Sequence, residues 1–561
     1  MRIGIFICHC GENIKGTVDI EALKEAFHGF PHVLVVEDYP FLCSEPGQEL
    51  IKRAVLEYKL DRVVVAACTP SMHEETFRGL LKETPLNPYL LRQVGIREHV
   101  SWVSQDKERN TQKAIGIIRG GIYSSLHLKP LEQKFIPVER SALILGGGIA
   151  GISASLSLSK VGIKTYLVEK SGELGGMTKR LSSVWPSMRR GEEVMAPLIE
   201  ELTSRDNVEV FLNSRVLAFD GFAGGFQARI ETPEGEREIK VGGAIIAIGF
   251  TPFDPSIKGE LLYGRDERII TTLEFEEGFG EGFFAKPSGR VAIIHCVGSR
   301  DEQIGRPYCS RICCINAAKT AARIKDLYPE ARVEVFYMDV RAHPRGGEEF
   351  FEEVQRRGVY YTRANVAEIY PKPQGVVLRG EDTLLGEVFE REFDLVILSI
   401  GMDPPEDAEE IARIFKISLG EDGFFQEAHI KLRPFDTVRK GVYIAGSCAG
   451  PKDATDALLQ GRAAATKLFS LLASGRVAVD PLKAEVQEER CSGCRLCERV
   501  CPAEAIAFDP SRGTVTVNEM ACSGCGLCGS ICPSSAITLR GYTDLILAEE
   551  VSGMMEGEGG V

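Results

Sequence analysis

Residues 142–151 read Ala-Leu-Ile-Leu-Gly-Gly-Gly-Ile-Ala-Gly, a β-rich run that breaks into Gly146-x-Gly148-x-x-Gly151 and continues as the helical pattern ISASLSLSKVG. Strand, glycine turn and helix together bring a pyrophosphate against the free N–H groups and positive dipole end of the helix. The next β-rich run, KTYLVEK, ends in Glu169, 18 residues after Gly151. A carboxylate there can bind the hydroxyls of an adenosine ribose. Three further segments agree: Gly172-Glu-Leu-Gly175-Gly176-Met, the strand AIIAIG at 244–249, and Gly441-Val-Tyr-Ile-Ala-Gly446-Ser447. A lone glycine turn would say little, but this set predicts a dinucleotide site in an α/β domain.

Together these segments resemble the two-dinucleotide-binding-domain flavoproteins to which thioredoxin reductase belongs, and the resemblance implies FAD. It carries over to Gly146, Gly148, Ile149, Ala150, Gly151, Glu169, Lys170, Gly175, Gly176, Val216, Ala247, Gly249, Gly446, Ser447 and Asp453 as cofactor-binding positions. In that family the late motif ends Gly-Asp, the Asp contacting the ribityl chain. Ser447 departs from this, which puts that one contact in doubt. The family also carries a second glycine fingerprint for NAD(P)H. The strand at 291–294 runs instead into His295-Cys296-Val-Gly298-Ser-Arg300, whose side chains would block close approach of a pyrophosphate. The nicotinamide site is therefore read as lost.

The chain around this core is long. Its 561 residues imply about three or four domains. Hydrophobic residues at 44% and charged residues at 26% are the balance of a soluble globular protein. A net charge of −14 argues against nucleic-acid binding. No uninterrupted apolar run reaches the roughly 18 residues that a membrane span needs. The opening MRIGIFICHC reads as a strand rather than a secretion signal, so the expected location is cytoplasmic.

In that compartment disulfides are disfavoured, and 17 cysteines argue for metal or redox chemistry. Eight fall in two copies of C-x2-C-x2-C-x3-C-P: Cys491, Cys494, Cys497, Cys501 and then Cys522, Cys525, Cys528, Cys532. This is the bacterial two-4Fe–4S ferredoxin spacing, in which the fourth cysteine of each run serves the other cluster. One cluster would take Cys491, Cys494, Cys497 and Cys532, the other Cys522, Cys525, Cys528 and Cys501. A pair of zinc sites is the competing reading, but tandem triplets with a trailing Cys-Pro are not a zinc-ribbon spacing.

Four more, Cys296, Cys309, Cys313 and Cys314, lie within nineteen residues and read as ligands of a further 4Fe–4S cluster beside the flavin. The alternative is a set of buried structural thiols. Cys8 and Cys10 follow the first predicted strand, Cys43 the second and Cys68 the third. Loops leaving the carboxyl ends of parallel strands converge, so these four could surround one more cluster, against structural or partly liganding thiols. Cys448 has no partner and is read as a small buried residue.

The predicted organisation is α/β throughout the larger part. An N-terminal parallel-sheet domain spans 1–130 and a linker 131–140. The thioredoxin-reductase-like flavoprotein core spans 140–475, the two-4Fe–4S ferredoxin domain 476–540, and a flexible tail 552–561. Further segments carry a closer resemblance: ICHCG, YPFLCSEPGQ (39–48), VVVAACTPSMHEETFR (63–78), HCVGSRDE, PYCSRICC and AGSCAGPKDATDALLQ (445–460), followed by the ferredoxin module. Across nearly the whole chain these resemble the heterodisulfide reductase A-subunit family. Its members carry FAD and several 4Fe–4S clusters and work in cytosolic complexes, in some of which the flavin bifurcates electrons.

The resemblance implies that Lys319 lies near the flavin ring as a catalytic cation; without it, a surface lysine would be the plainer reading. It implies partner subunits, a hydrogenase, formate dehydrogenase or similar donor, and ferredoxin as a further candidate. Longer members insert a second ferredoxin module where this chain has only the hairpin ARIETPEGEREIKVGGAIIAIG. That departure leaves open a non-bifurcating adaptor of benzoyl-CoA or sulfur metabolism. A self-contained NAD(P)H:acceptor oxidoreductase is the third reading, against which His295-Cys296 speaks.

Overall fold

Short β-branched runs alternating with amphipathic stretches build a four-stranded parallel sheet at the N-terminus, ordered Val33–Tyr39, Ile3–Cys8, Arg62–Ala67, Leu91–Gly95. The computed structural model describes residues 1–278 and 289–556. Ile3–Cys8 is buried along its whole length because helices cover both faces of the sheet. Phe6 packs with Val63, Val65 and Leu80 on one side, and Ile5 and Ile7 with Ile118 and Ile122 on the other. The strand order reverses at Ile3–Cys8, and at such a switch point the carboxyl-end loops part to leave a crevice.

Met1–Phe135 and Ala478–Val561 form one compact unit, and Ile136–Val477 the other. In the first unit, the cysteine-rich module is built from two short antiparallel sheets, Ala484–Val486 with Ile537–Leu539 and Ile506–Asp509 with Thr514–Val517. The helix Asp544–Met555 follows and lies on Lys107–Leu126. The expectation of an unstructured tail from Ser552 is therefore corrected for Ser552–Met555, while 557–561 lie outside the described residues.

Glycine, read in sequence as a sign of disorder, here permits a close helix crossing. A Cβ on Gly120 would stand 2.6 Å from the Glu550 carbonyl oxygen, and one on Gly553 2.9 Å from the Gly120 Cα. Arg92, buried on the fourth strand, pairs with Glu550, and the Arg119 Nε donates to the Gly553 carbonyl at 2.6 Å.

The second unit contains two doubly wound sheets. The first is wholly parallel, ordered Val442–Ile444, Gly243–Ile246, Ser141–Leu145, Lys164–Val168, Val208–Phe211. Its insertion is a three-stranded antiparallel sheet whose hairpin, Gly225–Thr232 with Gly235–Val241, turns at Pro233-Glu234. The other runs Ile269–Thr271, Leu395–Ile400, Arg290–Val297, Arg332–Tyr337, Tyr360–Lys372, then two antiparallel strands, Gly375–Asp382 and Glu387–Phe393. No helix among the described residues is long and apolar enough to cross a membrane.

Replacing Gly120 by Leu forces the two helices apart, and denaturant unfolding is expected to show a loss of about 1–3 kcal/mol. Gly79→Ala, where a Cβ would meet nothing within 4 Å, serves as the control and is expected to lose none.

Candidate functional site

A cavity of about 300 Å³ opens where the strand Ser141–Leu145 gives way to the helix Ile149–Lys160. The three motif glycines do different work. A Cβ on Gly146 would stand 2.4 Å from the Ala247 carbonyl oxygen, and one on Gly151 1.9 Å from that of Gly146. A Cβ on Gly148 would meet nothing, because that face is the cavity. The helix has no side-chain cap at Gly148, which leaves its first N–H groups available to an anion. Glu169 Oε2 accepts from the Gly147 N–H at 2.6 Å, and Oε1 from the Ser171 N–H and hydroxyl at 2.8 Å each. An open glycine cradle, an uncapped helix and an oriented carboxylate fit the phosphate and ribose of a dinucleotide.

Ile149, Ala150, Lys170, Gly176, Ala247, Gly249, Ser447 and Asp453 line the same cavity. Gly175 and Gly446 shape it from behind: the Gly175 N–H donates to the Gly147 carbonyl at 2.9 Å, and a Cβ on Gly446 would stand 2.9 Å from that of Ala150. Val216 is a correction. Its side chain is buried in the core with Leu143, Phe219 and Ile230, because strand alternation points it inward, and it does not line the cavity. Asp453 caps the helix Ala454–Ala473, accepting from the Asp456 N–H at 2.8 Å.

Lys319 is no surface lysine. It is 2% exposed, in the cavity wall. Its Nζ donates to the Ser183 carbonyl at 2.6 Å and stands 3.3 Å from Glu276 Oε1. Glu276, also buried in that wall, accepts through Oε2 from the Ser182 hydroxyl at 2.5 Å and the Ser183 N–H at 3.1 Å. Sequence reading missed Glu276, because nothing in LEFEE separates a buried acid from its exposed neighbours. It also passed over Lys452, which lines the cavity with its Nζ on the Ala449 and Gly450 carbonyls at 2.8 and 3.0 Å. Burial lowers the pKa of that ammonium.

The helix Cys313–Leu327 joins this cavity to a group of thiols. Ile312, Ile315, Asn316 and Lys319, spaced along one helical face, line the cavity, while Cys313 and Cys314 open the helix. Cys296 and Cys313 are hydrogen-bonded to each other. The bond holds the Cys296 thiol down to about 7, helped by the Arg300 charge, and with burial it pushes Cys313 up. Burial pushes Cys314 up to about 11, and the nearby Cys296 and Cys309 add to this. Backbone N–H groups reach two of the sulfurs: Arg341 to Cys314 and Arg311 to Cys309, both at 3.3 Å. Cys313 and Cys314 thus lie near enough to Cys296, and Cys309 near enough to Cys314, for their charges to bear on one another.

His295 is buried with neither ring nitrogen hydrogen-bonded, and burial pulls it down to about 4, so it is neutral. In the turn after the strand Arg290–Val297, Gly298 packs against Phe253. A Cβ on Gly298 would fall 2.1 Å from its Cγ.

In the other unit the strand ends gather Cys8, Cys10, Cys43 and Cys68. Cys10 and Cys43 pack against the core that holds Cys8. Burial pushes Cys68 up to about 12, and the proximity of Cys10 and Cys8 adds to it. His9, between two of these cysteines, pairs through Nε2 with Asp38 at 2.7 Å.

The ferredoxin-type module shows its repeat in the backbone. Gly493 and Gly524 both take φ near +70°, and a Cβ on either would strike a carbonyl oxygen within 2.6 Å. The last thiol of each run accepts an N–H from four residues on, Ala505 to Cys501 at 3.2 Å and Ala536 to Cys532 at 3.3 Å. Cys497 lies near enough to Cys494 and Cys532 for each to disfavour its ionisation, and Cys528 likewise to Cys522 and Cys525. Among the described residues no three His, Cys, Asp or Glu side chains close around a single metal ion. A cubane takes one thiolate at each of four irons, so its ligands stand further apart.

Comparison with known proteins gives a match over almost the whole length. The A subunit of the H2:CoB-CoM heterodisulfide,ferredoxin reductase of Methanothermobacter marburgensis is 37% identical over 606 aligned residues, covering 92% of each chain. The iron-sulfur A subunit of the CoB–CoM heterodisulfide reductase of Methanocaldococcus jannaschii is 38% identical, covering 99% of this chain and 98% of that one.

The chain belongs to the heterodisulfide reductase A-subunit family.

Within it, residues 140–294 match the pyridine nucleotide-disulphide oxidoreductase family and 490–536 the 4Fe-4S dicluster domain. Thioredoxin reductase of T. acidophilum, a solved structure, covers 59% of this chain and 99% of its own at 21% identity, with a TM-score of 0.42. This member is an FAD/iron–sulfur oxidoreductase subunit with two 4Fe–4S clusters in its C-terminal module. The alignment of 606 positions exceeds the 561 residues of this chain, so the M. marburgensis protein carries residues that this one lacks.

Glu169→Ala removes the carboxylate expected to bind the adenosine ribose. FAD affinity is expected to fall about 10–100-fold, the worth of a hydrogen bond to a charged group. Apoprotein titrated with FAD and followed by flavin fluorescence checks it.

Proposed function

We propose that this subunit distributes single electrons around its flavin inside a heterodisulfide-reductase-type complex, using two clusters besides those of the ferredoxin module. One would be held by Cys296, Cys309, Cys313 and Cys314, the other by Cys8, Cys10, Cys43 and Cys68. The observation that carries the reading is the helix Cys313–Leu327, which begins in two of those thiols and presents Lys319 to the flavin cavity one and a half turns later. FAD supplies the conversion between electron pairs and single electrons. Lys319 and Glu276 form an ion pair at the cavity wall, each also hydrogen-bonded to the Ser182–Ser183 segment, so a negative charge arriving beside them would meet a lysine already held in place.

In this reading electrons enter from a partner protein, and the disulfide or other terminal substrate is reduced elsewhere in the complex. A hydrogenase- or formate-dehydrogenase-type donor fits. Relatives are the H2:CoB-CoM heterodisulfide,ferredoxin reductase and, in Methanococcus maripaludis, the H2/formate:CoB-CoM heterodisulfide,ferredoxin reductase. Flavin-based bifurcation is the form of electron distribution we favour, on the buried Lys319–Glu276 pair. A non-bifurcating adaptor is the second reading, favoured by the bare hairpin Gly225–Thr232 with Gly235–Val241 and by the residues this chain lacks.

NADH or NADPH added anaerobically to the cluster- and FAD-loaded chain is expected to leave flavin absorbance unchanged, while dithionite bleaches it. Rapid bleaching by nicotinamide would instead make the chain a reductase in its own right. In a separate test, Cys314→Ala is expected to lose about four irons per chain with the ferredoxin-module signals intact. Unchanged iron content would remove the flavin-side cluster from the account.

A further inference from the structure

The N-terminal thiols have a neighbour that no motif announced. Three of the four parallel strands deliver cysteines to the carboxyl edge of their sheet, and the fourth, Leu91–Gly95, delivers an arginine. Arg97 opens the π-helical turn Arg97–Ser101, a rare backbone form that recurs at functional sites. Its side chain is 13% exposed, and every polar group on it is engaged. Nη1 donates to Cys10 Sγ at 3.1 Å and Nη2 to Met72 Sδ at 3.1 Å. Nη2 and Nε donate to Glu98 Oε1 at 2.7 and 3.1 Å. The guanidinium lies over the Trp102 ring, 4.6 Å from its centre, and the indole N–H is itself tied to Asn13 Oδ1 at 3.3 Å.

A guanidinium stays protonated and presents its donors in a rigid fork, so Glu98 and Trp102 fix the direction in which the remaining N–H points. It points at a ligand sulfur. Hydrogen bonds to cluster sulfurs favour the reduced, more negative state and raise the reduction potential. Glu98 offsets much of the charge felt at a distance, which leaves the N–H···S bond as the local effect.

We propose that Arg97 sets the potential of the N-terminal iron–sulfur site, holding it up through a charge-assisted bond to Cys10. The inference rests on the reading that Cys8, Cys10, Cys43 and Cys68 hold a cluster. Arg97 acts through Cys10 and is a positioning residue.

The test uses the full chain, reconstituted anaerobically with iron, sulfide and FAD. Iron content and EPR-monitored redox titrations are compared for the unsubstituted chain, Arg97→Gln, Arg97→Lys and the double variant Cys10→Ala/Cys68→Ala. The double variant is expected to lose about four irons and one EPR signal, which assigns that signal to the N-terminal site. Arg97→Gln is expected to keep the iron and shift that signal alone. At the original midpoint, the ratio of reduced to oxidised cluster falls at least about threefold, with Arg97→Lys between the two. An unchanged midpoint with iron retained overturns the role of Arg97, as does loss of iron in Arg97→Gln, which would make it a structural prop. A double variant with undiminished iron contradicts the N-terminal cluster itself, a separate failure.

Discussion

Parallel strands send all their carboxyl-end loops to one edge, and the flavin cavity and both strand-end groups of cysteines depend on that. The glycine turn of the flavin cavity leaves the end of Ser141–Leu145, and Cys296 the end of Arg290–Val297. Cys8, Cys10, Cys43, Cys68 and Arg97 leave the ends of four neighbouring strands in the other unit. Residues far apart in sequence are brought together without any of them having to code for the meeting. The ferredoxin-type module solves the same problem locally, with short loops in which glycines at positive φ let the backbone wrap closely.

Burial then decides the chemistry of what has been gathered. Thiols crowded in low-dielectric surroundings resist ionisation, as Cys68, Cys313, Cys314 and Cys528 do here. Iron supplies the positive charge that makes a buried thiolate stable, so under the proposed reading the cost of burying bare thiols becomes selectivity for a cluster. In the flavin cavity the balance differs. Lys319 is matched by Glu276, whereas the Lys452 ammonium donates to carbonyl oxygens. The cavity wall thus offers an ion pair made between two helices and a second ammonium at the entry to a third.

Sequence reading succeeded where the code is local. The Gly146–Gly151 turn, Glu169 after the next strand and the two cysteine runs are spacings set by one turn or one loop, and they survive without knowledge of the fold. It placed Lys319 only by resemblance, and could not see Glu276, because that pair is made between two helices. Val216 was misplaced for the same reason: whether a strand residue faces the cavity or the core is settled by the sheet on which it packs. Arg97 lay in an unremarkable REHVS, and its meaning depends on a fourth strand whose polar LRQVG hides it. The last turn of the C-terminal helix, from Ser552, was read as part of a flexible tail because glycine signals flexibility alone but close approach when a partner helix carries glycines too.

The measurement that bears most directly on this account is an anaerobic reductive titration of the loaded chain, counting electrons taken up per flavin. Two electrons for FAD and one for each of four clusters predict about six. Uptake that stops at about four, with the ferredoxin-type module fully loaded, would contradict it, leaving the strand-end thiols as structural cysteines.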